Sequence, residues 1–221
     1  MIVLENYPIA FIHSPKTGGS TITRALADLD GVELPGMDQR GWQGKMHKGG
    51  QHGQWKLEDV PPDYTLAMTV RHPLDRMLSF WAYFSAEDEG LDEFALRWTA
   101  RAQGEGPIWD DRYPLRKPSS AHLMSQWSYG MKDGKQAVKR FIFFESLQES
   151  FDILCEYVSA PRVALGHELD RRDRNYQRTY RRPVKETPKD WREAYQTSEG
   201  ETAETIFLAQ YHDDFTRLGY G

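Results

Sequence analysis

Ser14-Pro-Lys-Thr-Gly-Gly-Ser-Thr21 separates an apolar run, Pro8-Ile-Ala-Phe-Ile-His13, from a stretch of helix formers, Thr21-Ile-Thr-Arg-Ala-Leu-Ala-Asp28. The run is short and apolar without alternation, which predicts a strand covered on both faces. The stretch after the loop places Ile22, Ala25, Leu26 and Leu29 at helical spacing. Strand, glycine loop, helix is the first unit, and the second repeats it. Tyr64-Thr-Leu-Ala-Met-Thr-Val70 predicts a buried strand that stops at Arg71-His-Pro73, and the proline opens a helix with Leu74, Met77, Leu78 and Trp81 on one face. A third strand is expected at Phe141-Ile-Phe-Phe144. The helix after it runs from Leu147 to Val158, with Ser146 as its cap and Glu149 at the capping-box position. Leu91 to Ala102 and Ser119 to Tyr129 are further helix candidates. Parallel neighbours need crossover connections, so this alternation predicts an α/β layered fold around a mostly parallel sheet. Ligands of such sheets bind at the carboxyl ends of the strands, where the turns after His13 and Val70 both fall.

The 221 residues suit a single domain, 1–221, and 39% hydrophobic residues supply a real core, which excludes disorder throughout. A formal net charge of −5 gives no global pull toward nucleic acid, so any anion site must be local. The longest apolar runs fall far short of the roughly 18 residues a membrane span needs. The start, Met-Ile-Val-Leu-Glu-Asn-Tyr-Pro, lacks the pattern of a secretory signal, and a cytoplasmic chain is expected. A single cysteine, Cys155, excludes an intrachain disulfide and a multi-cysteine zinc site, and its apolar helical setting predicts a buried thiol. The acidic stretch Glu87 to Glu93 reads as a solvated helix entry. Gly31 to Gly53 reads as a long exposed loop, of a length that is often functional.

The loop reads as an anion site, the plainer alternative being a turn that merely needs its glycines. Gly18 and Gly19 allow positive φ and close approach, while Ser20 and Thr21 bring hydroxyls to a helix N-terminus whose N–H groups and dipole attract negative charge. Lys16 adds a full positive charge that can follow negative charge developing on a leaving oxygen. A nucleotide kinase loop carries its lysine last and draws on a carboxylate for magnesium, whereas here lysine comes first and the neighbouring strand ends in Arg71 and His72. Arg71 at that strand end and Ser79 two turns into the next helix could hold one phosphate between a guanidinium and a hydroxyl. In the plainer reading Arg76 and Asp75 share a solvated helix face and Ser79 is an ordinary helix residue. Two anion sites together point to a ligand with phosphates at two places.

Pro-Lys-Thr-Gly-Gly-Ser-Thr after a strand resembles the 5′-phosphosulfate loop of sulfotransferases, and Arg71-x-Pro73-x-x-Arg76-x-x-Ser79 resembles their 3′-phosphate motif. The similarity is to the membrane-type carbohydrate sulfotransferases and their soluble bacterial relatives, which use 3′-phosphoadenosine 5′-phosphosulfate (PAPS). It continues through Ser119 to Gln126, Phe143-Phe-Glu-Ser-Leu147 and the closing Tyr211 to Tyr220. Where the family usually has Asp or Asn, this chain has His72. The resemblance implies a P-loop-like three-layer fold with a central, mostly parallel sheet flanked by helices. It implies that Lys16, Thr17, Gly18, Gly19, Ser20 and Thr21 hold the 5′-phosphosulfate and that Arg71 and Ser79 hold the 3′-phosphate.

The implied reaction moves a sulfuryl group from PAPS to a hydroxyl acceptor, with a carbohydrate first in line, and releases adenosine 3′,5′-bisphosphate (PAP) without a metal. Lys16 is then catalytic as well as cofactor-binding. A histidine base is implied in the segment before the second strand, where His47 and His52 stand; His52 is preferred because its spacing to the Arg71 strand is closer to the family's habit. His13, beside the loop, is read as packing or as a support behind the residues that touch the ligand. Arg171, Arg172, Arg174, Arg178, Arg181 and Arg182 form either a solvated basic surface or a flap over the 3′-phosphate or an acidic acceptor. Trp42, Trp55, Trp109 and Trp127 could line an acceptor site or be core residues. Two other readings stay open, an ATP- and magnesium-dependent kinase and a non-catalytic nucleotide-binding protein. No nucleic-acid partner is expected.

Overall fold

The computed structural model describes residues 1–31, 57–86, 88–105, 120–166, 187–188 and 190–221. They fall into two compact units, Met1–Arg71 with Ser128–Asp170 and His72–Trp127 with Arg171–Gly221. His47, His52, His167, Trp42, Trp55, Trp109 and the arginine cluster from Arg171 to Arg182 lie outside the described residues.

The first unit holds a mixed α/β arrangement. Its four-stranded sheet runs β1 (Ile2–Val3), β2 (Ile9–Ile12), β3 (Thr65–Val70), β6 (Arg140–Phe143), with only β1 antiparallel to its neighbour. β2 and β3 are buried at every position, as their unbroken apolar character requires. Register pairs Phe11 with Ala67 and Thr69 with Ile142, which sets these side chains on one face. Helix α1 (Gly19–Leu29) lays Ile22, Ala25 and Leu26 on that face, and α6 (Leu147–Tyr157) adds Phe151, Leu154 and Cys155. Cys155 is a wholly buried core residue, and burial pushes its thiol up to about 11. A hairpin of β4 (Met131–Lys132) and β5 (Lys135–Gln136) turns through Asp133 and Gly134, both at positive φ, as an Asp-Gly turn favours.

Ser146 stands at the N-cap of α6, yet its side chain caps no N–H and instead meets the Ser150 hydroxyl at 3.1 Å. Phe144 is not the end of the third strand; it opens a 3-10 turn, Phe144–Ser146, that leads into α6.

The second unit is helical among its described residues. α2 (Pro73–Phe84), α3 (Leu91–Ala102) and α8 (Ser198–Gln210) share a core of Leu74, Leu78, Phe80, Phe94, Trp98 and Phe207. Around it lie the short helices α4 (Ser120–Leu123), α7 (Trp191–Ala194) and α9 (His212–Arg217), and α5 (Gln126–Tyr129) begins at the end of this unit's first segment. In place of the one helix expected from Ser119 to Tyr129, the described residues of that stretch, from Ser120 on, form two separate short helices. Large polar aromatics satisfy their tips within the core, Trp98 Nε1 donating to Tyr211 Oη at 2.7 Å and Tyr195 Oη to the Leu74 carbonyl at 2.9 Å. Gly200 sits so close to the Ala194 carbonyl that any side chain there would displace the backbone, which fixes how α8 starts over the end of α7.

Charged residues read as solvated are buried instead. Glu89 is 2% exposed, takes a two-pronged ion pair from Arg97 at 2.6 and 2.9 Å, and accepts the Ala86 N–H at 3.0 Å. Arg76 is 1% exposed and donates to the Met124 carbonyl at 3.2 Å, with its guanidinium 4.9 Å from the Phe80 ring centre. Its charge also acts on Asp214, a fully buried carboxylate that accepts the Gln126 and Trp127 N–H groups at 2.9 and 2.8 Å. Asp214 therefore serves as the cap of α5. Removing it leaves two N–H groups buried without that acceptor and takes away the carboxylate on which the buried Arg76 charge acts. Asp214→Ala is expected to lower unfolding free energy by about 3–5 kcal/mol in urea titrations, and Asp214→Asn by less.

Candidate active site

Pro15 to Gly19 alternate in their exposure. Pro15, Thr17 and Gly19 are buried, whereas Lys16 and Gly18 are half-buried, as are Ser20 and Thr21 beyond them. Burial of Thr17 is used structurally: its hydroxyl donates to the Ser14 carbonyl at 2.9 Å and pairs with the Thr69 hydroxyl of β3 at 2.6 Å. The Thr17 side chain thus faces into the protein, and what it offers a ligand is its backbone. Lys16, just before it, has φ of +64°, a left-handed conformation that costs a non-glycine residue on the order of 1–3 kcal/mol and is kept only where its surroundings impose it.

Both glycines are needed, for different reasons. Gly18 has φ of +80°, and a side chain on it would come within 2.8 Å of the Phe144 ring. Gly19 opens α1, and a side chain there would meet the His13 ring at 2.5 Å. His13 is accordingly a packing residue under the loop, 5% exposed. No side chain caps the N-terminus of α1 and no acidic residue lies in its first turn. The Thr21 N–H already bonds to the Gly18 carbonyl, so the N–H groups of Gly19 and Ser20 are the ones that helix geometry directs outward. With Lys16 and the hydroxyls of Ser20 and Thr21, this end suits a phosphate or sulfate oxygen.

Arg71 arrives beside the loop because β2 and β3 are parallel neighbours. Its guanidinium donates to the Lys16 carbonyl at 3.4 Å and stacks 4.2 Å from the centre of the Phe144 ring. Phe144 therefore serves twice, its edge against Gly18 and its face under Arg71. The loop, Arg71 and Phe144 all belong to the first unit. Two positive charges and a helix N-terminus are gathered at one sheet edge, and among the described residues no cluster of His, Cys, Asp or Glu is placed to hold a metal ion.

Ser79 lies in the second unit, on α2, and is 1% exposed. In that unit His72 is the N-cap residue of α2 and stacks on Trp191, ring centres 4.1 Å apart, with Phe215 and Tyr220 edge-on to it. Trp127, named as a possible acceptor residue, is half-buried with the Arg217 guanidinium 5.4 Å from its ring.

The sequence reading missed Phe144 and Thr69. Phe144 reads as the end of the third strand, and Thr69 as an ordinary β-branched strand residue; neither has a local signal for its contact. The requirement for Gly19 was legible as a glycine, but not its cause, His13.

No curated protein and no solved structure matches the chain. A family model described as the sulfotransferase family matches residues 1–221. No helix among the described residues is long and apolar enough to cross a membrane. With a lysine-bearing glycine loop at a helix N-terminus, an arginine at the next strand end and a family match along its full length, the chain belongs to the sulfotransferase family.

Proposed function

We propose that this sulfotransferase takes its sulfuryl group from PAPS and passes it to a carbohydrate hydroxyl, releasing PAP, within one P-loop-like three-layer domain. The observation that carries the reading is the joining of the Lys16 loop to Arg71 across two parallel strand ends, through the bond of Arg71 to the Lys16 carbonyl. The donor is a compound with phosphates at two places. The uncapped end of α1, with Lys16, Ser20 and Thr21 and the backbone of Thr17, Gly18 and Gly19, suits its 5′-phosphosulfate. Arg71 suits its 3′-phosphate by a forked contact that a lysine could not make, and Ser79 joins it by resemblance to the family motif.

In this reading the acceptor oxygen attacks sulfur in line. A sulfur–oxygen bond to the acceptor forms as the bond between sulfur and the phosphate oxygen breaks. Negative charge grows on that phosphate oxygen, where Lys16 and the α1 N-terminus oppose it without rearranging. The acceptor proton passes to a base, for which His52 is the proposed residue and His47 the alternative; a neutral imidazole near physiological pH suits the task.

Calorimetry with PAP in the absence of magnesium tests the donor site. Micromolar binding is expected. Lys16→Ala and Arg71→Ala should each weaken it about 10–100-fold, as loss of charge-assisted hydrogen bonds implies. Magnesium-dependent binding of ATP, with none of PAP, would replace the reading by phosphoryl transfer.

Turnover separates the base from the donor site. In assays with labelled PAPS and a panel of sugars, His52→Ala should lower kcat by about 10²–10⁴-fold while PAP binding stays within about twofold of the parent. Full turnover in that variant would move the role to His47.

A further inference from the structure

Thr69 lies on β3 two positions before Arg71 and is wholly buried. The direction of its hydrogen bond can be worked out. Thr17 has one hydroxyl proton, and the Ser14 carbonyl 2.9 Å away can only accept, so that proton is spent there. The Thr17 bond to the Ser14 carbonyl and the 2.6 Å contact between the two threonines are both satisfied when Thr69 donates to Thr17. Thr69 is thus a donor that reaches from β3 into the loop between Lys16 and Gly18. The Ser14 hydroxyl, equally buried, makes no hydrogen bond among the described residues and does not share this role.

Lys16, immediately before the anchored residue, is held at φ +64°. A left-handed lysine persists only when its neighbours fix it, and the bond from Thr69 to Thr17 fixes the next residue. Just past the end of that strand stands Arg71, whose guanidinium bonds to the Lys16 carbonyl. The strand and the residue after it therefore grip the loop at two adjacent residues, by a hydroxyl from within and a guanidinium at the rim.

We propose that Thr69 is a positioning residue for the sulfuryl donor: by donating to Thr17 it holds the Lys16 loop in its binding conformation and at a fixed separation from Arg71. This rests on the proposed function, because the ligand it positions for is PAPS. Nothing in the proposal requires Thr69 to touch the ligand.

The test compares the parent chain with Thr69→Val, which keeps the shape and removes the donor, and Thr69→Ser, which keeps the donor. Calorimetry with PAP and amide hydrogen exchange over residues 14–21 are both read. Thr69→Val should raise the PAP Kd roughly tenfold, the scale of one lost buried hydrogen bond, and speed exchange in the loop; Thr69→Ser should restore both to within about twofold. Parent-like PAP affinity in Thr69→Val, even with a lower Tm, would overturn the proposal, since a merely structural hydroxyl gives that result. A serine variant as weak as the valine one would also overturn it. Thr69→Ala supplies the comparison if valine prevents folding. If the parent chain binds no PAP, the donor assignment fails separately, and the exchange comparison still decides whether Thr69 holds the loop.

Discussion

The parallel pairing of β2 with β3, Ile9 against Thr65 through Ile12 against Met68, is the constraint from which the site follows. Both strands are buried at every position, so their register is held by close packing on either face and not by alternation of apolar and polar residues. Two strands locked side by side in the same direction end at the same edge. The chain leaves β2 into the Lys16 loop and leaves β3 into Arg71, and these two departures are neighbours because the strands are. Thr69 to Thr17 and Arg71 to the Lys16 carbonyl then bridge the loop and the strand.

This arrangement places positive charge without help from the chain's overall balance, which is −5. Its elements are local: one ammonium on a left-handed residue, one guanidinium stacked on Phe144, and the uncapped N-terminus of α1. Being held by the sheet, they would need little reorganisation in the proposed reaction, the condition under which electrostatic stabilisation is most effective. Phe144 does part of this work with no charge at all, by blocking any side chain at Gly18 and backing Arg71.

Sequence reading recovered the parts whose causes are local. Apolar runs without alternation located β2 and β3, a proline at the first position opened α2, and Leu91–Ala102 was bounded correctly by its period and its acidic first turn. It failed where distant partners decide the outcome. Glu89 and Arg76 look like surface charges until Arg97 and the Met124 carbonyl are brought to them by folding. β1, two residues long, is too short to carry a period, and the Asp133-Gly134 turn lies between strands without alternating apolar residues. In the site, the loop's residue types announced an anion, but Thr69 meets Thr17 across 52 positions and leaves no trace in either neighbourhood.

A crystal structure of the chain with bound PAP tests the central claim most directly. The expected result is a 5′-phosphate at the N-terminus of α1 beside Lys16, with the 3′-phosphate on the Arg71 guanidinium of the next strand. PAP seated elsewhere, or bound with neither Lys16 nor Arg71 in reach of a phosphate, would contradict it.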